Sequence, residues 1–147
     1  MFFTKYKFEL PCGMAYENER FTLSQDWKLL IEGFMIVSPK RHIEKFEEFS
    51  RDERIEMFDI VDKTIKILRE NEVCENFDVI FEEKPNRHLH VWIMPRHKWM
   101  NEICEDIIDN VKVVCDYAKE HFRNDEVYER IVEVSEMVRE GFEKREK

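Results

Sequence analysis

Residues 88–93 read His-Leu-His-Val-Trp-Ile, a period-two pattern that runs on into Met94, Pro95 and Arg96. In a β-strand this pattern puts Asn86, His88, His90 and Trp92 on one face and leaves Leu89, Val91 and Ile93 to pack into a core on the other. One side anchors the strand while the other presents two imidazoles and an indole in a row. Only five histidines occur in 147 residues, so two on one half-buried strand mark a site.

The remaining composition bounds what such a strand can belong to. With 43% hydrophobic and 13% aromatic residues, the chain can fold as one domain with a real core. No apolar run approaches ~20 residues, and no membrane partner is expected. The start of the chain lacks the pattern of a signal peptide, and Cys12, Cys74, Cys104 and Cys115 are scattered without a Cys-x-x-Cys pair. Reduced thiols and a cytoplasmic location are the expectation. A net charge of −9 opposes stable nucleic-acid binding. Cations nevertheless cluster at Lys40, Arg41 and His42, and again at Lys84, Arg87, Arg96, His97 and Lys98 around the histidine strand. Local positive charge on an acidic protein suits a small anionic ligand such as a phosphate ester.

Strands are expected over 14–24 and 29–37, separated by a loop at Gln25 to Lys28, with Pro39 ending the second. Ser50 followed by Glu53 forms a capping box, and Ile55, Phe58, Val61, Ile65 and Leu68 recur at helical spacing behind it. Phe77 to Glu82 reads as a short strand, joined to the histidine strand through a Lys-Pro-Asn turn as an antiparallel hairpin. Two helices follow: one carries Ile103, Ile107, Val111, Val114, Ala118 and Phe122, the other Val127, Ile131, Val134, Val138 and Phe142 after an Asn124 cap. The sum is an α+β domain on an antiparallel sheet.

His88-Leu89-His90-Val91-Trp92-Ile93-Met94-Pro95-Arg96 resembles the His-φ-His-φ-His-φ-φ motif, often closed by Pro-Arg, of the histidine triad (HIT) superfamily of nucleotide hydrolases and transferases. The upstream stretches Tyr16 to Phe21 and Gly33 to Ile43, followed by the capped helix, resemble the same family. The resemblance implies an antiparallel sheet of about five strands with a long helix, in a catalytic domain over 1–100. A helical extension over 101–147 packs on that domain and has no family role assigned. It also implies His90 as the nucleophile toward the α-phosphorus of a nucleotide, with His88 supporting the ring. Asp26, or Gln25 beside it, aligns with the position that holds the ribose. Asn86, Lys84, Arg87 and Trp92 are the further substrate-binding candidates. A small-molecule nucleotide, such as diadenosine tetraphosphate or a nucleoside phosphoramidate, is the implied partner, and a homodimer the implied assembly. No metal and no cofactor is implied.

Trp92 stands where the family has its third histidine, and an indole donates one hydrogen bond without shuttling a proton. It reads equally as a core aromatic or as a pocket wall. Glu82 to Arg87 replaces the family's phosphate loop, and Pro85 contributes no N–H. Two alternatives accompany the enzyme reading. One is a nucleotide-binding module with little or no turnover. The other is a His-x-His metal site that recruits Glu82 or His97 as third ligand. His42 is expected to pin a strand end, and His97 and His121 to lie on the surface.

Overall fold

A computed structural model of the chain describes residues 14–146, so Cys12 and the first strand's approach lie outside the described residues. Its five-stranded antiparallel sheet has the order β1-β2-β3-β5-β4. The strands are β1 (Met14–Glu17), β2 (Phe21–Gln25), β3 (Met35–Pro39), β4 (Phe77–Glu82) and β5 (His90–Pro95), with helices α1 (Arg51–Glu70), α2 (Lys98–Ile103), α3 (Val111–His121) and α4 (Asp125–Glu146).

Two expected strands change shape. The stretch 14–24 is a hairpin, because the Asn18 side-chain oxygen accepts the N–H groups of Arg20 and Phe21, each at 2.9 Å, and turns the chain. The stretch 29–37 becomes strand only from Met35. Before that, Ile31 N–H bonds the Leu29 carbonyl, Phe34 N–H bonds the Ile31 carbonyl, and Gly33 takes φ +79°. A left-handed φ of that kind belongs to a turn, and glycine supplies it at little cost. Gln25, expected in the loop, is the last residue of β2.

Helix α1 is built as its capping box predicts: Ser50 Oγ accepts the Glu53 N–H at 3.1 Å, and Glu53 returns the bond to Ser50 N–H at 2.8 Å. The face it buries differs from the expected stripe. Met57, Ile60, Val61, Ile67 and Leu68 enter the core, whereas Ile55 and Phe58 remain 52% and 50% exposed. The expected first C-terminal helix is interrupted between α2 and α3. There Asp106 accepts the Ile108 N–H on its side chain and the Asn110 amide on its carbonyl, bonds that compete with helical ones. Asn124 caps α4 as predicted, accepting the Val127 N–H at 2.9 Å.

These elements make layers on the two faces of the sheet. Phe21, Leu23, Met35, Val37, Val91 and Ile93 point to one face, where α1 and the α4 residues Val134, Val138 and Phe142 complete a single buried cluster. The other face carries His90, Trp92 and Met94 by the alternation of β5. Here a second cluster joins Met94 to Leu29, Ile31 and Phe34 of the turn and to Val114 and Ala118 of α3. Helix α3 therefore covers part of the face that bears the histidines. What it leaves uncovered is the candidate site.

Candidate active site

Between the open part of that face and α3 lies a cavity of about 690 Å³. His90, Trp92, Ile36 and Ser38 line its floor from the sheet. The order follows from register, since Trp92 pairs with Ile36 on one side and Ile80 on the other, and His90 lies opposite Glu82. Of the residues expected at the site, Gln25, Asp26, Lys84, Arg87, His88, His90 and Trp92 all line this cavity. Asn86 does not. It takes φ +61°, which removes it from the strand face, and its N–H donates to Glu44 at 2.9 Å.

His90 is half-buried, and burial pushes its pKa below the usual histidine value; Glu82 opposes that shift, while His88 and Lys84 add to it. The ring is thus held neutral at pH 7, the form that carries a free lone pair. His88 precedes β5 rather than belonging to it. Its ring meets His42 edge-on at 4.5 Å between centroids, and His42 in turn bonds Glu44 at 3.1 Å. Among the described residues, neither histidine of the pair is hydrogen-bonded to the other. Lys84 pairs with Glu82 at 3.5 Å, whereas the Arg87 guanidinium has no ion-pair partner among the described residues.

At the other end, Asp26 sits where β2 turns into the loop. Its carboxylate accepts the Leu29 N–H at 3.0 Å, and burial raises its pKa against the pull of that bond, of neighbouring N–H groups and of Lys28. Gln25 is 1% exposed, and its amide nitrogen donates to the carbonyls of Asp26 and Ile31 at 3.1 and 2.9 Å. Gln25 thus clamps the loop that presents Asp26. Trp92 meets Phe34 in a T-shaped contact at 5.4 Å and still lines the cavity, so it is both a packed aromatic and a wall.

His97 is not a surface residue as expected. It is half-buried, its Nε2 lies 2.6 Å from the Glu32 carbonyl, and it borders a separate small cavity. Nor does it join His88 and His90, and no cluster of three metal-ligating side chains forms among the described residues. His121 is exposed, as expected. Sequence reading missed Trp27, Lys28, Cys115 and Lys119, all on the cavity wall. The first two follow Asp26 directly in the loop and were within reach of the reasoning that found it. The α3 pair is brought in by tertiary packing alone, for which the sequence carries no local signal.

Residues 7–99 match the HIT domain, and the chain belongs to that family. It is 31% identical over 101 residues to an uncharacterised HIT-like protein of Methanocaldococcus jannaschii, covering 65% of this chain and 77% of that protein. Among solved structures, it resembles a zinc-bound histidine triad family protein from Mycobacterium smegmatis at TM-score 0.62 and 17% identity, covering 94% of this chain and 88% of that one. It also resembles Plasmodium falciparum diadenosine triphosphate hydrolase, at TM-score 0.55 and 15% identity, with 76% and 80% covered. At these identities the two structures share the fold with this chain.

Proposed function

We propose that this protein is a nucleotide hydrolase or nucleotidyl transferase that acts at an α-phosphate through His90. The observation that carries the reading is a neutral, half-buried imidazole on the wall of a cavity that also holds Lys84 and Arg87. A lone-pair nitrogen of His90 attacks the α-phosphorus, and the bond from phosphorus to the leaving group breaks with its electron pair. Water, or another acceptor hydroxyl, then attacks the same phosphorus and gives up its proton to solvent, while the phosphorus–nitrogen bond breaks with its electron pair on the ring and regenerates neutral His90. Lys84 and Arg87 balance the charge on the phosphoryl oxygens. Asp26 accepts from the ribose hydroxyls, with Gln25 holding its loop. His88, which packs edge-on against His42, supports the hydrogen-bond network around His90 and the substrate. Dinucleoside polyphosphates, as in the Plasmodium relative, and nucleoside phosphoramidates are the substrates.

A homodimer in the cytoplasm completes the proposal. Ile55 and Phe58 on α1, with Val79 and Phe81 on the edge strand β4, are large apolar side chains left exposed together. Phe81 packs near both Phe58 and Phe46, at 6.1 and 5.1 Å, so the patch is continuous. An apolar patch beside a strand edge that pairs with no further strand among the described residues favours pairing with a second copy. No helix of the described residues is long and apolar enough to cross a membrane.

Turnover of diadenosine tetraphosphate and of adenosine 5′-phosphoramidate by the protein and by His90→Ala tests the activity. Hydrolysis lost in the variant, with its melting temperature kept, is the expected result. Nucleotide binding without any turnover across both substrates would overturn the enzyme reading.

A further inference from the structure

Helix α3 lies beyond residues 7–99, the part of the chain that matches the family domain, yet it forms part of the cavity wall. Cys115 and Lys119 both line the cavity, and four residues of separation stacks them on one helical face. The adjoining face is locked: Val114 and Ala118 are fully buried against Leu29, Ile31 and Phe34, the same turn that follows Asp26. The helix therefore has no freedom to turn these two side chains away. Cys115 lies close enough to Asp26 for the two to interact electrostatically. The Lys119 ammonium has neither an ion pair nor a hydrogen bond among the described residues, whereas Lys112, on the same helix, is paired with Asp116 at 2.6 Å.

The chemistry around these residues differs from that at His90. Near Asp26 the cavity is walled by Trp27, Leu29 and Phe34, which are apolar and partly flat. Such a lining suits a planar heterocycle, and an uncommitted ammonium at its rim suits a ring nitrogen or carbonyl oxygen. We propose that α3 forms the nucleobase wall of the site, with Lys119 donating to an acceptor on the base and Cys115 facing the nucleoside. This rests on the nucleotide reading and adds to it a specificity element from outside the family domain.

The test compares ligands with and without a base. Titration calorimetry measures AMP, GMP and ribose 5-phosphate on the full chain and on Lys119→Ala. Maleimide labelling read by peptide mass spectrometry then follows Cys115 separately from Cys12, Cys74 and Cys104. Lys119→Ala is expected to weaken the better nucleotide about tenfold, as for one lost hydrogen bond to a charged group, and to leave ribose 5-phosphate unchanged. The nucleotide slows labelling of Cys115, and ribose 5-phosphate does not. Nucleotide binding that is indifferent to Lys119 and leaves Cys115 equally reactive overturns the assignment to α3 while the nucleotide reading stands. Failure of AMP and GMP to bind at all overturns both.

Discussion

His90 and Trp92 stand two residues apart on one strand face and have opposite tasks in the proposed mechanism. Burial keeps His90 neutral, with a pKa below the ordinary 6.5. The group that must be deprotonated for attack is thus deprotonated over a wider range than a free histidine. In pre-steady-state measurements the acid-side fall in the rate of nucleotidyl-enzyme formation is expected to be centred below pH 6.5. A drop already centred above 6.5 would show that His90 is not held neutral. The same depression makes His90 a source of stability that is present above 6.5 and lost as pH falls through the lowered value. Trp92 cannot hand a proton to a leaving group. Phosphoanhydrides, whose leaving groups depart as anions, are therefore expected to turn over well ahead of phosphoramidates, whose amine must be protonated. Trp92→His raises the phosphoramidate rate selectively in paired kcat assays. An equal change for both substrate classes would count against a proton-transfer defect at this position.

The elements show how much of this was legible beforehand. The strand β5 and the capped helix α1 carry their own signals, periodicity in one and reciprocal side-chain bonds in the other; α1 forms where the sequence puts it, whereas β5 begins only at His90, two residues into the expected strand. The hairpin of β1 and β2 was hidden because its turn depends on one asparagine side chain folding back on two N–H groups. The outward turn of Ile55 and Phe58 was hidden as well, since α1 is apolar on two sides and only its tertiary neighbours decide which is buried. Around the cavity, the β5 residues were legible from motif and strand face and Asp26 only from the family resemblance; Cys115 and Lys119 were not legible, because packing alone brings α3 there. Helix α4 shows the same limit. Its Gly141 faces Ile67 so closely that an added Cβ would stand 2.6 Å from the Ile67 side chain. Gly141→Ala gains helix propensity but overpacks this contact, and a net loss of about 1–2 kcal/mol in denaturant unfolding is expected. A neutral or stabilising result would mean that α4 does not press on α1.

As a whole, the molecule packs one face of its sheet against α1 and α4 and keeps on the other, bordered by α3, the cavity of the candidate site. The patch of Ile55, Phe58, Val79 and Phe81 leaves the cavity's own face free. Phe58→Glu is expected to shift the protein from dimer to monomer in analytical ultracentrifugation while the fold, followed by circular dichroism, is kept. A wild-type protein that sediments as a monomer at micromolar concentration would contradict the homodimer. In the proposed mechanism catalysis passes through a covalent bond to His90. Rapid quenching of the protein with diadenosine tetraphosphate at alkaline pH, followed by peptide mass spectrometry, measures this directly. An adenylyl group on His90, formed and consumed within one turnover and absent in His90→Ala, is the predicted result. Turnover with no adduct, or with the adenylyl group on another residue, would contradict it.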